Sequence, residues 1–238
     1  MARGLREGIL KEAALLGLFM FQAFGVHGPE LTPVADAVID VALVTLAFAF
    51  LITAPRSTRY DAALLGTMVF AVTALRVFMQ PFPNVQPVTV AALLVGAQLG
   101  ARRGVAFAIL VTLLSNMLIG DGWWTLFQAA GWSAVAVLGS RLSLTKNGDF
   151  NHGQLYLAVI GSAFLFDVIA SLSILTPGMG LTDFAIYLAH GIPFDILHAL
   201  GNLAFAVWFG PFVYRQLGGL ESSNTFDQSV VEHHVING

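Results

Sequence analysis

Apolar runs of about 17–20 residues, the length a helix needs to cross a bilayer, recur along most of this chain, and they restrict the fold more than any motif does. Only 11% of the 238 residues are charged, and 57% are hydrophobic. A soluble domain carries about 25% charged residues, so the deficit implies an all-α, polytopic membrane helix bundle. The net charge of −3, with no basic patch, offers no electrostatic footing for nucleic acid. Cysteine is absent, which removes disulfides, thiolate metal sites and a cysteine nucleophile.

Eight spans fit the hydropathy, at about 9–26, 34–54, 61–79, 86–101, 104–119, 124–140, 154–175 and 192–214. The basic residues test this number independently, because Lys and Arg concentrate on cytoplasmic loops. Arg3, Arg6 and Lys11 stand before or at the start of the first span, Arg56 and Arg59 follow the second, and Arg102 and Arg103 follow the fourth. Arg141 and Lys146 follow the sixth and Arg215 the last, whereas 27–35, 80–85, 120–123 and 176–191 hold no Lys or Arg. With both termini cytoplasmic, every basic residue except Arg76 falls on one side.

Three regions follow: an N-terminal transmembrane hairpin over 1–58, a six-helix membrane core over 59–217, and a disordered cytoplasmic tail over 218–238. The N-terminal run lacks a small-residue cleavage site before Val26-His27-Gly28-Pro29 and is expected to stay as the first span. The tail is polar and aperiodic, and its His233-His234 pair is expected to be solvated. Thr176 to Gly180 reads as a turn by its Pro and Gly content. Residues 181–190 read as a short amphipathic helix at the interface, broken by Gly191-Ile192-Pro193, with Pro193 in the first turn of the last span.

An ionisable side chain inside a span costs at least about 2.5–3.5 kcal/mol at the bilayer centre, so each one calls for a reason. Asp167 lies in FLFDVIASL, and Asp195, His198 and Asn202 form one polar face of the last helix by their spacings of three and four. Trp124, Gln128 and Trp132 recur every four residues on the sixth span. Asn116 closes the fifth span, and Arg76 stands one turn from the end of the third, close in sequence to Asn84 and Gln86. Arg76, Asn116, Trp124, Gln128, Asp195 and His198 fall toward the outer ends of their helices, with Asp167 and Asn202 nearer the middle. A polar set confined to one leaflet implies a pocket open to one side, since a through-pore would line both halves. As the lone outward cation, Arg76 is expected to pair with an acid or with an anionic group of a ligand.

Structural alternatives stand beside each of these readings. Trp123, Trp124 and Trp132 also suit an interfacial belt, and His198 suits a capping partner for Asp195. Asp167 suits an interhelical anchor, and Asn116 and Asn202 suit interhelical glue. Small residues at Ala62 and Gly66, and at Gly96 and Gly100, allow close helix approach, either inside the bundle or against another subunit. A His190, Asp195 and His198 metal set is a further alternative. No G-x-x-x-x-G-K-[ST], G-x-S-x-G or H-E-x-x-H stretch occurs, so P-loop nucleotide binding and two common hydrolase chemistries lose support.

Over about residues 61–215 the chain resembles the substrate-binding S component of an energy-coupling factor (ECF) transporter. The resemblance rests first on Pro83-Asn84-Val85-Gln86-Pro87-Val88-Thr89 and on Gly96-x3-Gly100-x3-Gly104 around the Arg pair. Ser115-Asn116 with Gly120-x-Gly122-x-Trp124-Thr125 extends it, as do Gln128-x3-Trp132 and Gly191-x-Pro193-Phe194-Asp195-x2-His198-x2-Gly201-Asn202. It implies a six-helix bundle in the cell membrane that captures a vitamin or related micronutrient, with cobalamin-like compounds first and thiamine- or flavin-like molecules next. It also implies partners, a membrane scaffold (the T component) and two ATPase subunits, so the chain itself would be no enzyme and hold no cofactor. Ala62 and Gly66 match the family's scaffold-docking pair, which is usually alanine, so Gly66 is a departure. The N-terminal hairpin is another. On this reading Trp124 and Trp132 stack on a ring of the ligand, while Asn84, Gln86, Asn116, Gln128, Asp195, His198 and Asn202 supply polar contacts. Asp167 orients its partners, and Arg76 pairs with an acid or a ligand anion. Two rivals use the same residues: a proton-coupled secondary carrier working through Asp167, and an intramembrane enzyme working through Asp167, Asp195 and His198.

Overall fold

The computed structural model describes residues 21–25, 28–55, 59–146, 149–175 and 179–217. Expectations for residues 1–20, His27, Arg56, the 176–178 turn and the 218–238 tail lie outside the described residues. Two short antiparallel ribbons accompany the helices, β1 (Phe21–Gly25) with β2 (Gly28–Leu31) and β3 (Thr145–Lys146) with β4 (Asp149–Phe150). The helices are α1 (Pro33–Thr53), α2 (Arg59–Phe78), α3 (Val88–Ile119), α4 (Trp123–Gly139), α5 (His152–Ser171) and α6 (Leu181–Trp208). A 3-10 turn, Leu172–Ile174, extends α5, and residues 210–217 are helical again.

Among the described residues, four helices are long and apolar enough to cross a membrane: α1, α3, α5 with its 3-10 extension, and α6. Ala62–Phe78 is a shorter apolar helix. The outer surface carries large apolar side chains, Ile52, Phe70, Phe78, Met117, Leu181 and Trp208 among them, each more than two-thirds exposed. A monomer in water rarely tolerates so many. The chain is therefore a helical membrane protein.

α3 holds the centre. Its most apolar window is 61% buried, against 17% for α1 and α6, and it touches α1, α2, α4, α5 and α6. It is not straight. Gly100 has φ 81° and ψ 166°, a conformation essentially reserved for glycine, and the chain doubles back there. In a continuous helix Gly96 and Gly104 would stand about 12 Å apart. Here a Cβ on Gly104 would lie 2.9 Å from the Gly96 Cα. A Cβ on Gly96 would overlap the Ala136 carbonyl, and one on Gly139 the Leu93 carbonyl. The small-residue row at Gly96 thus serves packing inside the bundle, where two arms of α3 and helix α4 press backbone to backbone. Arg102 and Arg103, just past the reversal, donate to the Thr53 and Pro55 carbonyls, the second at 2.8 Å. The Arg pair therefore caps the open end of α1.

α1 forms a second apolar cluster with the far arm of α3, since Leu43 and Ala47 pack against Val105, Ala106, Ile109 and Leu113. Ala62 is exposed on α2, and a Cβ on Gly66 would meet nothing within 4 Å.

Two expectations are corrected. The span placed at 9–26 does not run helically to its end, because 21–25 form a strand paired with 28–31. The interfacial helix at 181–190 is not separate, because α6 runs unbroken from Leu181 through Gly191 and Pro193 to Trp208. Proline removes one helix hydrogen bond, a loss that membrane helices tolerate.

Candidate functional site

The polar side chains gather at one end of the bundle. Arg76 ends α2, Asn116 stands near the end of α3, and Trp124 near the start of α4; Asp167 lies in the last turns of α5. Arg102 and Asn116 on the second arm of α3 are separated by about 20 Å of helix rise, so the Arg pair marks the opposite end. Asn84, in the loop entering α3, adopts a left-handed conformation (φ 59°) and donates to the Phe194 carbonyl of α6 at 3.2 Å.

Together these elements enclose a cavity of about 810 Å³. Eight of the eleven residues expected to bind a ligand line it: Arg76, Asn84, Gln86, Asn116, Trp124, Gln128, Asp167 and Asp195. The other three stand behind the wall. Trp132 is 2% exposed and stacks on Phe166, with ring centroids 4.4 Å apart. Its indole N–H donates to Thr89 Oγ1 at 3.0 Å, so it holds the wall from behind instead of lining the cavity. His198 is buried, with Nδ1 3.0 Å from the Asp167 carboxylate and Nε2 3.0 Å from Thr89 Oγ1. It partners Asp167 directly, and therefore supports the wall from behind. Asn202 is fully buried and donates to the Val159 carbonyl at 3.3 Å, which makes it a tie between α6 and α5.

Behind the wall, Thr89 Oγ1 accepts from the Trp132 indole N–H and lies against His198 Nε2, and His198 Nδ1 faces Asp167, so these buried polar groups are linked in one chain. The chain fixes the Asp167 carboxylate at the cavity surface beside Asp195, with which it also interacts.

Elsewhere in the lining, Arg76 spreads its guanidinium among neutral acceptors. Nε donates to Gln86 Oε1 at 3.1 Å, Nη1 to Ser115 Oγ and to Asn116 Oδ1 (2.7 Å), and Nη2 to Gln128 Oε1 at 3.2 Å. Beneath it lies the Trp132 ring, with Cζ 4.8 Å from the centroid. Asn116 is held in turn by Thr125 Oγ1 (2.6 Å) and Gln128 Oε1 (3.0 Å), and Thr125 donates to Asp121. Arg76 pairs with no acid among the described residues, where the one ion pair is His198–Asp167.

Sequence reading missed part of the lining. Tyr187 and His190 face the cavity from the first turns of α6, a stretch expected at the membrane surface. Their signal was present: 187, 191, 195 and 198 follow a helical spacing that extends the polar face backward once Pro193 is read as internal. Phe166 and Ser173 also line the cavity, and Ser173 accepts from the Trp123 indole N–H at 3.0 Å. Trp123 is therefore tied to the 3-10 turn. His190, Asp195 and His198 do not converge as metal ligands. Among the described residues, the three carboxylates that gather within 4.8 Å of one another are those of Asp36, Asp40 and Asp121.

The fold and the site define a class: an all-α membrane protein whose helix ends enclose a cavity of ligand size. More narrowly, the chain belongs to the family of unknown function DUF6580, whose model matches residues 56–217. No curated protein and no solved structure matches the chain.

Proposed function

We propose that the protein is the substrate-capture subunit of an ECF-type importer in the cell membrane, a multi-pass chain that takes a small polar nutrient from outside. The observation that carries this reading is the gathering of eight polar and aromatic side chains from distant segments onto one cavity at a single end of the bundle. A space of about 810 Å³ lies within the ordinary range for small-molecule sites, about 300–1,000 Å³. It suits a thiamine- or flavin-sized molecule better than a whole cobalamin, whose corrin ring and nucleotide arm need more room. The missing P-loop stretch fits a division of labour in which two ATPases and a membrane scaffold supply the energy. The exposed Ala62 and open Gly66 on α2 form the face that meets the scaffold.

The intramembrane-enzyme rival, working through Asp167, Asp195 and His198, draws on one observation, the contact of His198 with both Asp167 and Thr89, which has the order of an acid–base–hydroxyl triad. Against it, Thr89 is 1% exposed and accepts a hydrogen bond from Trp132, and it does not line the cavity. A nucleophile so placed has no reach to a substrate.

The deciding experiment is native mass spectrometry of the purified chain, followed by reconstitution into vesicles. A co-purified small molecule and no sustained uptake until scaffold and ATPases are added is the expected result. ATP-independent uptake by the chain alone, driven by a proton gradient, would establish the carrier instead.

A further inference from the structure

Arg76 is 2% exposed, lies in the last turn of α2, and lines the cavity. Its partners are two glutamine side chains, an asparagine and a serine, all uncharged. Removing a cation from water costs several kcal/mol unless a counter-charge returns the loss, and neutral acceptors return only part of it.

The donors at this end are in surplus. A guanidinium has five N–H groups, and four hydrogen bonds account for Arg76 among the described residues, leaving one on Nη2. Because Gln86 and Gln128 turn their Oε1 atoms to the guanidinium, their NH2 groups point elsewhere and have no acceptor among the described residues. Both residues line the cavity. Acceptors are supplied elsewhere in the lining by the Asp167 and Asp195 carboxylates, neither of which pairs with Arg76.

From this we infer that the Arg76–Gln86–Gln128 end of the cavity is an oxyanion subsite, so the captured molecule carries a carboxylate or phosphate group there. The inference rests on the capture reading for its setting and adds the charge of the ligand. Charge-assisted N–H···O bonds are about twice as strong as neutral ones, and a desolvated cation without a counter-ion gains most from them. Trp124, Phe166, Tyr187 and Phe194 bring four aromatic side chains to the same cavity, so the anion is attached to a flat apolar body.

Benzoate, phenyl phosphate and benzamide test this, since they share a ring and differ in charge. The purified full chain in detergent is titrated with each in a low-salt buffer, following tryptophan fluorescence and thermal unfolding. The expected result is that benzoate or phenyl phosphate binds at least about tenfold more tightly than neutral benzamide. Whichever anion binds better identifies the group as carboxylate or phosphate. Arg76→Gln should bring the anion to within about threefold of benzamide, and Arg76→Lys should keep a reduced preference, because a point charge remains without the planar fork. If Arg76→Gln fails to fold, the wild-type discrimination and Arg76→Lys decide. Equal binding of benzamide and the anions would overturn the subsite and leave the capture reading standing. Silence from all three probes would overturn it too. ATP-independent uptake by the chain alone would remove the capture reading while leaving an observed anion preference intact.

Discussion

At the scale of single residues, the cavity divides into side chains that face it and side chains that hold those in place. Trp132 and Asn116 separate the two roles. Trp132→Phe keeps the stack on Phe166 and the ring under Arg76 but loses the bond to Thr89. It should cost about 1–3 kcal/mol of stability through the unpaired Thr89 acceptor, read by thermal unfolding, with retention of a co-purified molecule unchanged. Asn116→Ala frees one Nη1 hydrogen of Arg76 and removes a cavity wall, so ligand retention should fall about tenfold or more in native mass spectra. Much of this end was legible in the sequence, because an Arg, two Asn and two Gln within apolar surroundings are costly and so mark themselves. What sequence did not show is which polar group has its back to the cavity. The 100° step per residue places His198 and Asn202 on the face of Asp195, but the packing of α5 alone decides that His198 turns to Asp167 and Asn202 to Val159.

At the scale of elements, the reversal in α3 organises the bundle. Two spans were expected at 86–101 and 104–119, and the turn between them falls on Gly100, the next-to-last residue of the first. The Arg pair and three glycines spaced by four made it visible. The start of α6 was hidden for the opposite reason: Pro193 and Gly191 are strong breakers in water, yet α6 continues through both. Glycines in similar rows should respond in opposite ways. Gly96→Ala forces a methyl into the Ala136 carbonyl, which cannot yield as a side chain would, and should lower stability by about 1–3 kcal/mol or more. Gly66→Ala fills open space on a helix and should stabilise by up to about 1 kcal/mol. Thermal unfolding of the two variants in one detergent checks the contrast.

At the scale of the whole molecule, the site lies at one end and the Arg pair at the other, and the absence of cysteine makes that polarity easy to probe. Single-cysteine variants at Asn84 and Arg103 should label from opposite faces of intact cells with a membrane-impermeant maleimide, Asn84→Cys from outside only. Labelling of both from the same face would contradict the arrangement. The reversal at Gly100 has a consequence for depth. The first arm, residues 88–99, rises only about 18 Å, well short of the roughly 30 Å hydrocarbon thickness. The loop carrying Asn84 and Gln86 must therefore dip below the headgroups to reach it, which irregular backbone does only where protein or water surrounds it. A truncated helix of this kind brings the loop at its start toward mid-membrane.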